Sequence, residues 1–157
     1  MTDKTYRRVV SGLDEEGRST IIIDAPMGIA TSMSGRSNVI WRTQGVPADN
    51  SGREDVDTGG MTVQELSEGG SLFMIHTFPP DHGGGEPFWH ATDSIDYITM
   101  MSGEVVFVTQ TGETTLRAGD VIVDRGIVHA WRNDSDEDAV AAIAVVPALP
   151  VGKGRTV

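Results

Sequence analysis

From Ser71 onward the chain repeats one unit: a short run rich in Val, Ile, Thr and aromatic residues, then a break of Gly, Pro, Asp or Asn. "SLFMIHTF" stops at "PPD", "IDYITMM" at "SGE" and "VVFVT" at "QTGE". "TTLRAGD", "VIVDRG" and "HAWRN" follow, and the polar "DSDED" precedes "AVAAIAVVPA". Strand-length runs spaced by about ten residues and separated by glycine turns confine a chain to an all-β sandwich or closed barrel. The 19 glycines and 7 prolines supply the turns, and no long amphipathic helical pattern competes.

The N-terminal third reads as strands and turns of the same kind. "RRVVSG" leads into the turn "LDEEGR", "STIIIDAP" is a β-branched strand stopped at Pro26, and "SNVIWRTQG" ends at Gly45. Val46–Gly60 carries almost no apolar residue and reads as a surface loop or a lid over a pocket. "MTVQEL" reads as a strand or turn. The expected organisation is one structural domain, in which residues 1–60 form extension strands and a loop, packed on the barrel or exchanged with a partner. Residues 61–157 form the barrel itself.

His90, Thr92 and Asp96 are separated by even numbers; alternate side chains of a strand share a face, so along an uninterrupted strand, with no bulge or turn near Thr92 to Ser94, the three would point one way. The inward face of a small barrel surrounds its interior, where His129 enters from a later strand.

Two segments carry a family resemblance. In the first, Gly84 is followed by His90, Thr92, Asp96 and Gly103; in the second, Gly119 is followed by His129 and Asn133. The spacings resemble the two motifs of the cupin superfamily, G-x5-H-x-H-x3,4-E-x6-G and G-x5-P-x-G-x2-H-x3-N. "RRVVSG", the later "WRT" and the ending "RGxxHAWRN" resemble a group of small cupins. The resemblance implies a double-stranded β-helix, a jelly-roll-like barrel, with an N-terminal strand extension. The chain departs from the pattern at named places. Thr92 stands at the second histidine and Asp96 at the glutamate, and "DRG" replaces the proline turn of a second motif one residue shorter.

By the resemblance, His90, Asp96 and His129 are the candidate metal ligands. Two imidazoles and a carboxylate form a recognised donor set for Fe, Mn, Ni or Zn, whereas the Thr92 hydroxyl is a poor ligand. The cofactor expectation is therefore either none or one divalent metal. His76 lies in "SLFMIHTF", where Met74, His76 and Phe78 share a face, and is a candidate general base or substitute ligand. His82 sits in a glycine-rich loop as an exposed residue. Arg125 is a candidate for holding a substrate carboxylate in a bidentate pair. Trp131 shares the face of His129 and walls the interior, and Phe88 and Trp89 shape the entrance around His90. With Thr92 and Met74 these complete the candidate substrate-binding set. Tyr97 points away from Asp96 into packing between the strands and the extension, and Glu104 is solvated.

Composition bounds the rest. With no cysteine, disulfides, zinc–thiolate sites and cysteine nucleophiles are excluded. A net charge of −11 repels phosphate backbones, so nucleic acid is not an expected partner. "DHGGGEP" lacks the lysine and following helix of a phosphate loop. No apolar run is long enough to span a membrane, and "MTDKTYRR" has no apolar leader, so a cytoplasmic location is expected. The function expected is a small-molecule enzyme using a barrel-interior His/Asp site. The reaction is of lyase type (decarboxylation, dehydration or isomerisation), on a small organic acid or an aromatic, polyketide-like substrate. The alternatives are a metal-dependent dioxygenase and a non-catalytic ligand-binding barrel. A homodimer is expected by resemblance.

Overall fold

The computed structural model describes residues 6–27, 30–32, 35–56, 64–66, 69–81 and 85–151. His82, Gly84 and the far end of the polar loop lie outside them. Eleven strands appear among the described residues: β1 (Arg7–Leu13), β2 (Ser19–Pro26), β3 (Ala30–Ser32), β4 (Gly35–Arg42), β5 (Leu72–Phe78), β6 (Ser94–Ser102), β7 (Glu104–Thr109), β8 (Gly112–Arg117), β9 (Val121–Asp124), β10 (His129–Arg132) and β11 (Ala139–Pro147). A single turn of 3-10 helix covers Gln64–Leu66, where the sequence suggested a strand or turn. No helix among the described residues is long and apolar enough to cross a membrane.

The strands form a six-stranded sheet in the order β3-β4-β5-β11-β6-β9, a three-stranded sheet β10-β7-β8, and a separate hairpin β1-β2. All the pairings are antiparallel. β4 pairs with β5, so part of the expected N-terminal extension belongs to the same sheet as the barrel strands. The hairpin is tied down by Arg8, which donates to the Ile40 carbonyl and pairs with Asp55 in the polar loop.

The period-2 pattern is plain in β6, where Ser94, Asp96, Ile98 and Met100 are buried while Tyr97, Thr99 and Met101 are exposed. Ile98 and Met100 join Val39, Met74, Phe78, Val105, Phe107, Leu116, Ile143 and Val145 in one core, with Ile122 and Trp131 packed against it. Burying one such side chain stabilises the fold by about 1.5–3 kcal/mol. Gly103 joins β6 to β7 at φ +71°, a region open to glycine but hardly to other residues. A Cβ there would come within 2.8 Å of the Ala139 Cα, so the motif glycine also allows β11 to approach. Asn133 is a structural anchor: its amide donates to the Phe78 and Glu137 carbonyls at 2.9 and 2.8 Å, fastening the β10–β11 turn to β5.

Candidate functional site

The candidate site lies where the two larger sheets meet. His90, outside the regular strands, forms an antiparallel bridge with His129 at the start of β10, with N–H···O distances of 3.0 and 2.9 Å in the two directions. Side chains of directly opposed residues share a face, and the two imidazole centroids are 4.3 Å apart. Thr92, Ser94 and Asp96 continue inward from His90 at even spacing, all buried. The chain between His90 and Asp96 is not one uninterrupted strand: β6 begins at Ser94 and Ala91 is buried as well, so it is the Thr92–Ser94–Asp96 hydrogen bonds, not strand alternation, that tie this segment together.

Each histidine has its Nδ1 against a backbone carbonyl: Phe88 O at 3.2 Å for His90 and Ile127 O at 2.8 Å for His129. A carbonyl only accepts, so both Nδ1 atoms carry the proton, and in the neutral rings Nε2 holds the lone pair. Burial pushes the His90 imidazole down to about 4, helped by the neighbouring His129 and opposed by the Phe88 carbonyl and by Asp124. At neutral pH His90 is therefore an uncharged acceptor.

Ser94 Oγ lies 2.8 Å from Thr92 Oγ1 and 2.7 Å from Asp96 Oδ1. One hydroxyl has one proton to give, so when Ser94 donates to Asp96, Thr92 donates to Ser94. The result is a relay Thr92–Ser94–Asp96 that ends on a carboxyl group. Burial lifts Asp96 to about 6; the Ser94 hydrogen bond opposes the rise and the charge of Asp124 adds to it.

Asp124 stands directly across from Asp96 in the β6–β9 ladder and is 2% exposed. Its Oδ1 accepts the amides of Gly126 and Ile127 at 3.1 and 3.4 Å. Its Oδ2 lies 3.0 Å from His129 Nδ1 but outside hydrogen-bonding alignment, because that N–H points to Ile127. Two buried carboxylates opposite each other repel, and this repulsion accounts for the second upward push on Asp96. Sequence reasoning did not select Asp124 as a site residue. The available signal was its place in the motif position normally held by proline, on the same face as Ile122.

The remaining candidates divide clearly. Phe88 stacks on His90 at 5.1 Å and is partly exposed, as is Trp89, in keeping with a place at the entrance. Trp131 lies 5.9 Å from His129, 4.9 Å from Phe107 and 5.0 Å from Phe78, an aromatic cluster packed into the core beside His129. Met74 is a core residue. His76 is buried on the inward face, but its Nδ1 is held by Ser37 Oγ at 2.8 Å and its ring meets Phe78 at 4.4 Å. Arg125 is exposed, outside the buried group. Tyr97 points outward as expected, yet it is half exposed rather than covered by the extension.

Among the described residues no three His, Cys, Asp or Glu side chains stand as a group that could hold a metal ion, so His90, Asp96 and His129 do not assemble as the ligand trio that the resemblance implies. The physical reason is local. Asp96 is engaged by the Ser94 relay and faces Asp124, and Thr92 supplies a neutral hydroxyl where a second imidazole is implied. The described donors do not fit a metal, and no chemical step below is routed through one.

Comparison with known proteins follows this geometry. Residues 74–146 match the sequence model of the cupin domain. Phomopsin biosynthesis cluster protein C' of Diaporthe leptostromiformis is 33% identical over 140 residues, covering 84% of this chain and 72% of the relative. A cupin-domain-containing oxidoreductase of Aspergillus ruber is 30% identical over 132 residues, covering 80% of this chain and 63% of the relative. The cupin domain of Schizosaccharomyces pombe Cnp3 superposes with a TM-score of 0.56 over 92% of this chain and 89% of that one, at 7% identity, a likeness of fold alone.

Proposed function

We propose, from the premise that this chain belongs to the cupin family, that it is a small-molecule enzyme whose barrel interior carries out acid–base chemistry of lyase type. The observation that supports this reading is the juxtaposition of two imidazoles presenting Nε2 with a buried carboxyl group that burial has lifted to about 6, closer to neutral pH than an ordinary carboxylate. An acceptor and a donor of protons in one water-poor interior suit dehydration, isomerisation or decarboxylation. Dehydration uses both. An Nε2 lone pair takes the proton from carbon next to a carbonyl and a double bond forms. The C–O bond then breaks as the Asp96 carboxyl gives its proton to the departing hydroxyl, and water leaves. The imidazolium returns its proton to the Asp96 carboxylate to close the cycle.

The rings of Phe78, Phe107 and Trp131 packed beside His129 make an aromatic or polyketide-like substrate the better match for this interior than a small aliphatic acid. The names of the relatives from Diaporthe leptostromiformis, which speak of a biosynthesis cluster, support a biosynthetic intermediate as substrate. The test is incubation with hydroxylated aromatic and β-hydroxycarbonyl compounds in D2O, followed by NMR. Deuterium uptake at the acidic carbon or loss of water is expected, reduced at least about 100-fold in both His90→Ala and His129→Ala. An identified turnover that survives both substitutions refutes the reading.

The relatives named as oxidoreductases favour a second reading, oxidation of the same class of substrate. Oxygen consumption that requires added Fe(II) and a substrate would decide for it. Pairing of two copies belongs to the proposal. On the outer face of the large sheet Val123, Tyr97, Ala144 and Phe73 lie in one cross-strand row, and three of the four are 42–55% exposed. Sedimentation as a monomer at micromolar concentration would count against pairing.

A further inference from the structure

We propose that Arg42 anchors a second binding site, in a cleft at the end of β4, for the carboxylate of a small, singly charged organic acid. The site shares no residue with the interior His/Asp group, and its test needs no turnover.

Arg42 is the last residue of β4, and strict alternation from the buried Val39 would turn it to the outer face. A bulge between Val39 and Trp41 shifts the pairing, so that Arg42 stands directly opposite Leu72 of β5, a core residue. Directly opposed residues share a face, and a guanidinium is thereby set on the inward side of the sheet. A cleft of about 290 Å³ lies against it, between the end of β4, the start of β5 and the 3-10 turn, large enough for a small ligand. The Nε and Nη2 atoms of Arg42 are buried and have no hydrogen-bond acceptor among the described residues. Nη1 lies 3.9 Å from Glu65 Oε1, too far for a hydrogen bond. Buried donors are almost always satisfied, and a charged one left without an acceptor is costly. Nε–H and Nη2–H lie side by side on one edge of the guanidinium, the fork that takes both oxygens of a carboxylate. No hydrogen bond to a described residue fixes that group, so it can turn this edge to a ligand in the cleft without breaking one.

The wall beside the arginine is tied in place. The Gly70 amide donates to the Thr43 carbonyl at 3.0 Å, the Thr43 amide to the Ser71 carbonyl at 2.9 Å, and the Ser71 amide to Thr43 Oγ1 at 2.7 Å. A Cβ at Gly70 would collide with that hydroxyl and with the Gly45 nitrogen, and Gly69 holds φ +83°, so the two glycines let the strand ends close on each other. The Thr43 and Ser71 hydroxyls lie 3.2 Å apart. When Thr43 donates to Ser71, the Ser71 proton is available to a ligand oxygen. Charge then selects the anion. Among the described residues the charged side chains lining the cleft are Arg42 and Glu65. A monoanion leaves these three charges with an excess of one negative, a dianion with two, and each added negative charge meets Glu65. The net charge of −11 on the chain acts in the same sense. The cleft therefore suits an organic monocarboxylate better than inorganic phosphate.

The experiment is titration of the full chain, isotope-labelled, with sodium acetate and separately with inorganic phosphate, at an ionic strength held constant with chloride. Arginine Nε–H and backbone amide signals are followed by 1H–15N NMR. Acetate is expected to move the Arg42 Nε–H and the Gly70 and Ser71 amides along one saturating curve, while the exposed Arg7 and Arg18 stay in place. Arg42→Lys keeps the charge but removes the fork, and should bind acetate at least about tenfold more weakly. Phosphate at about pH 7.5, mostly a dianion, should bind at least about tenfold more weakly than acetate. Glu65→Gln, at an exposed position, should narrow that gap. Shifts that rise linearly with acetate and are shared by Arg7 and Arg18 mean ions gathering at any surface cation, and overturn the proposal. Phosphate binding as tightly as acetate, or a gap unmoved by Glu65→Gln, overturns the choice of a monocarboxylate. If Arg42→Lys does not fold, the Arg42 signal is assigned through its own side-chain carbons in the unaltered protein, and the same curves decide. None of these results bears on the His/Asp site, so either reading can fail alone.

Discussion

Replacing Asp96 with asparagine should reverse part of this protein's pH-dependent stability. In the folded chain burial lifts the carboxyl group from 3.8 to about 6. A group whose proton is held more tightly when folded stabilises the fold below its unfolded value and loses that contribution as pH rises through the folded one. For Asp96 the window runs from about pH 4 to pH 7, and the loss across it comes to about 3 kcal/mol. Asparagine keeps an oxygen for the Ser94 hydroxyl and has no charge to bury. Urea unfolding of both proteins at half-unit steps between pH 4 and pH 7.5 gives the difference in unfolding free energy. That difference should move in favour of Asp96→Asn by about 3 kcal/mol across the window, half of it by about pH 5. Taking the difference cancels every group the proteins share, His90 included. A difference that stays flat, or that turns against the variant as pH rises, would mean Asp96 ionises as an ordinary surface carboxylate. It could not then be the acid proposed above.

His90→Gln should show the opposite slope: burial lowers the imidazole to about 4, so its contribution is present above 6.5 and is lost as pH falls toward 4, by about 3 kcal/mol relative to the variant in the same urea titration. Gly126→Ala places a methyl group 2.2 Å from the Thr92 carbonyl at a left-handed φ, and should cost more than about 2 kcal/mol in urea unfolding; a neutral result would mean the turn opens freely. Asn133→Ala leaves the Phe78 and Glu137 carbonyls without their buried donor and should lower Tm by about 5–10 °C in a calorimetric scan.

How much of this was legible in the sequence depends on the range of the interaction. The strands could be read from period-2 alternation and glycine breaks, because those signals are local: "STIIIDAP" ends at Pro26 as read, and "SGE" turns at Gly103. The alternation of β6, with Asp96 buried and Tyr97 exposed, followed from period-2 spacing, whereas the break in the chain between His90 and Ser94 did not. β3 was missed because three residues carry too little pattern, and the joining of β4 to β5 needs a pairing that no local signal states. What stands opposite each site residue is hidden from the sequence for the same reason. Whether His90, Asp96 and His129 gather as ligands is settled by what stands across from each of them. The bridge places His129 opposite His90, while the β6–β9 register places a second carboxylate, not an imidazole, opposite Asp96.

That register gives the chain's departures from the family pattern a common physical sense. Thr92 removes an imidazole and, through Ser94, hydrogen-bonds the carboxyl group that would have faced a cation. Asp124, in the place of the motif proline, brings a negative charge to a site that has no metal-ligating trio among the described residues. On the reading proposed above, the two changes together turn a donor set suited to a cation into one suited to acid–base work, with the Asp96 carboxyl lifted toward neutral pH by burial and by Asp124.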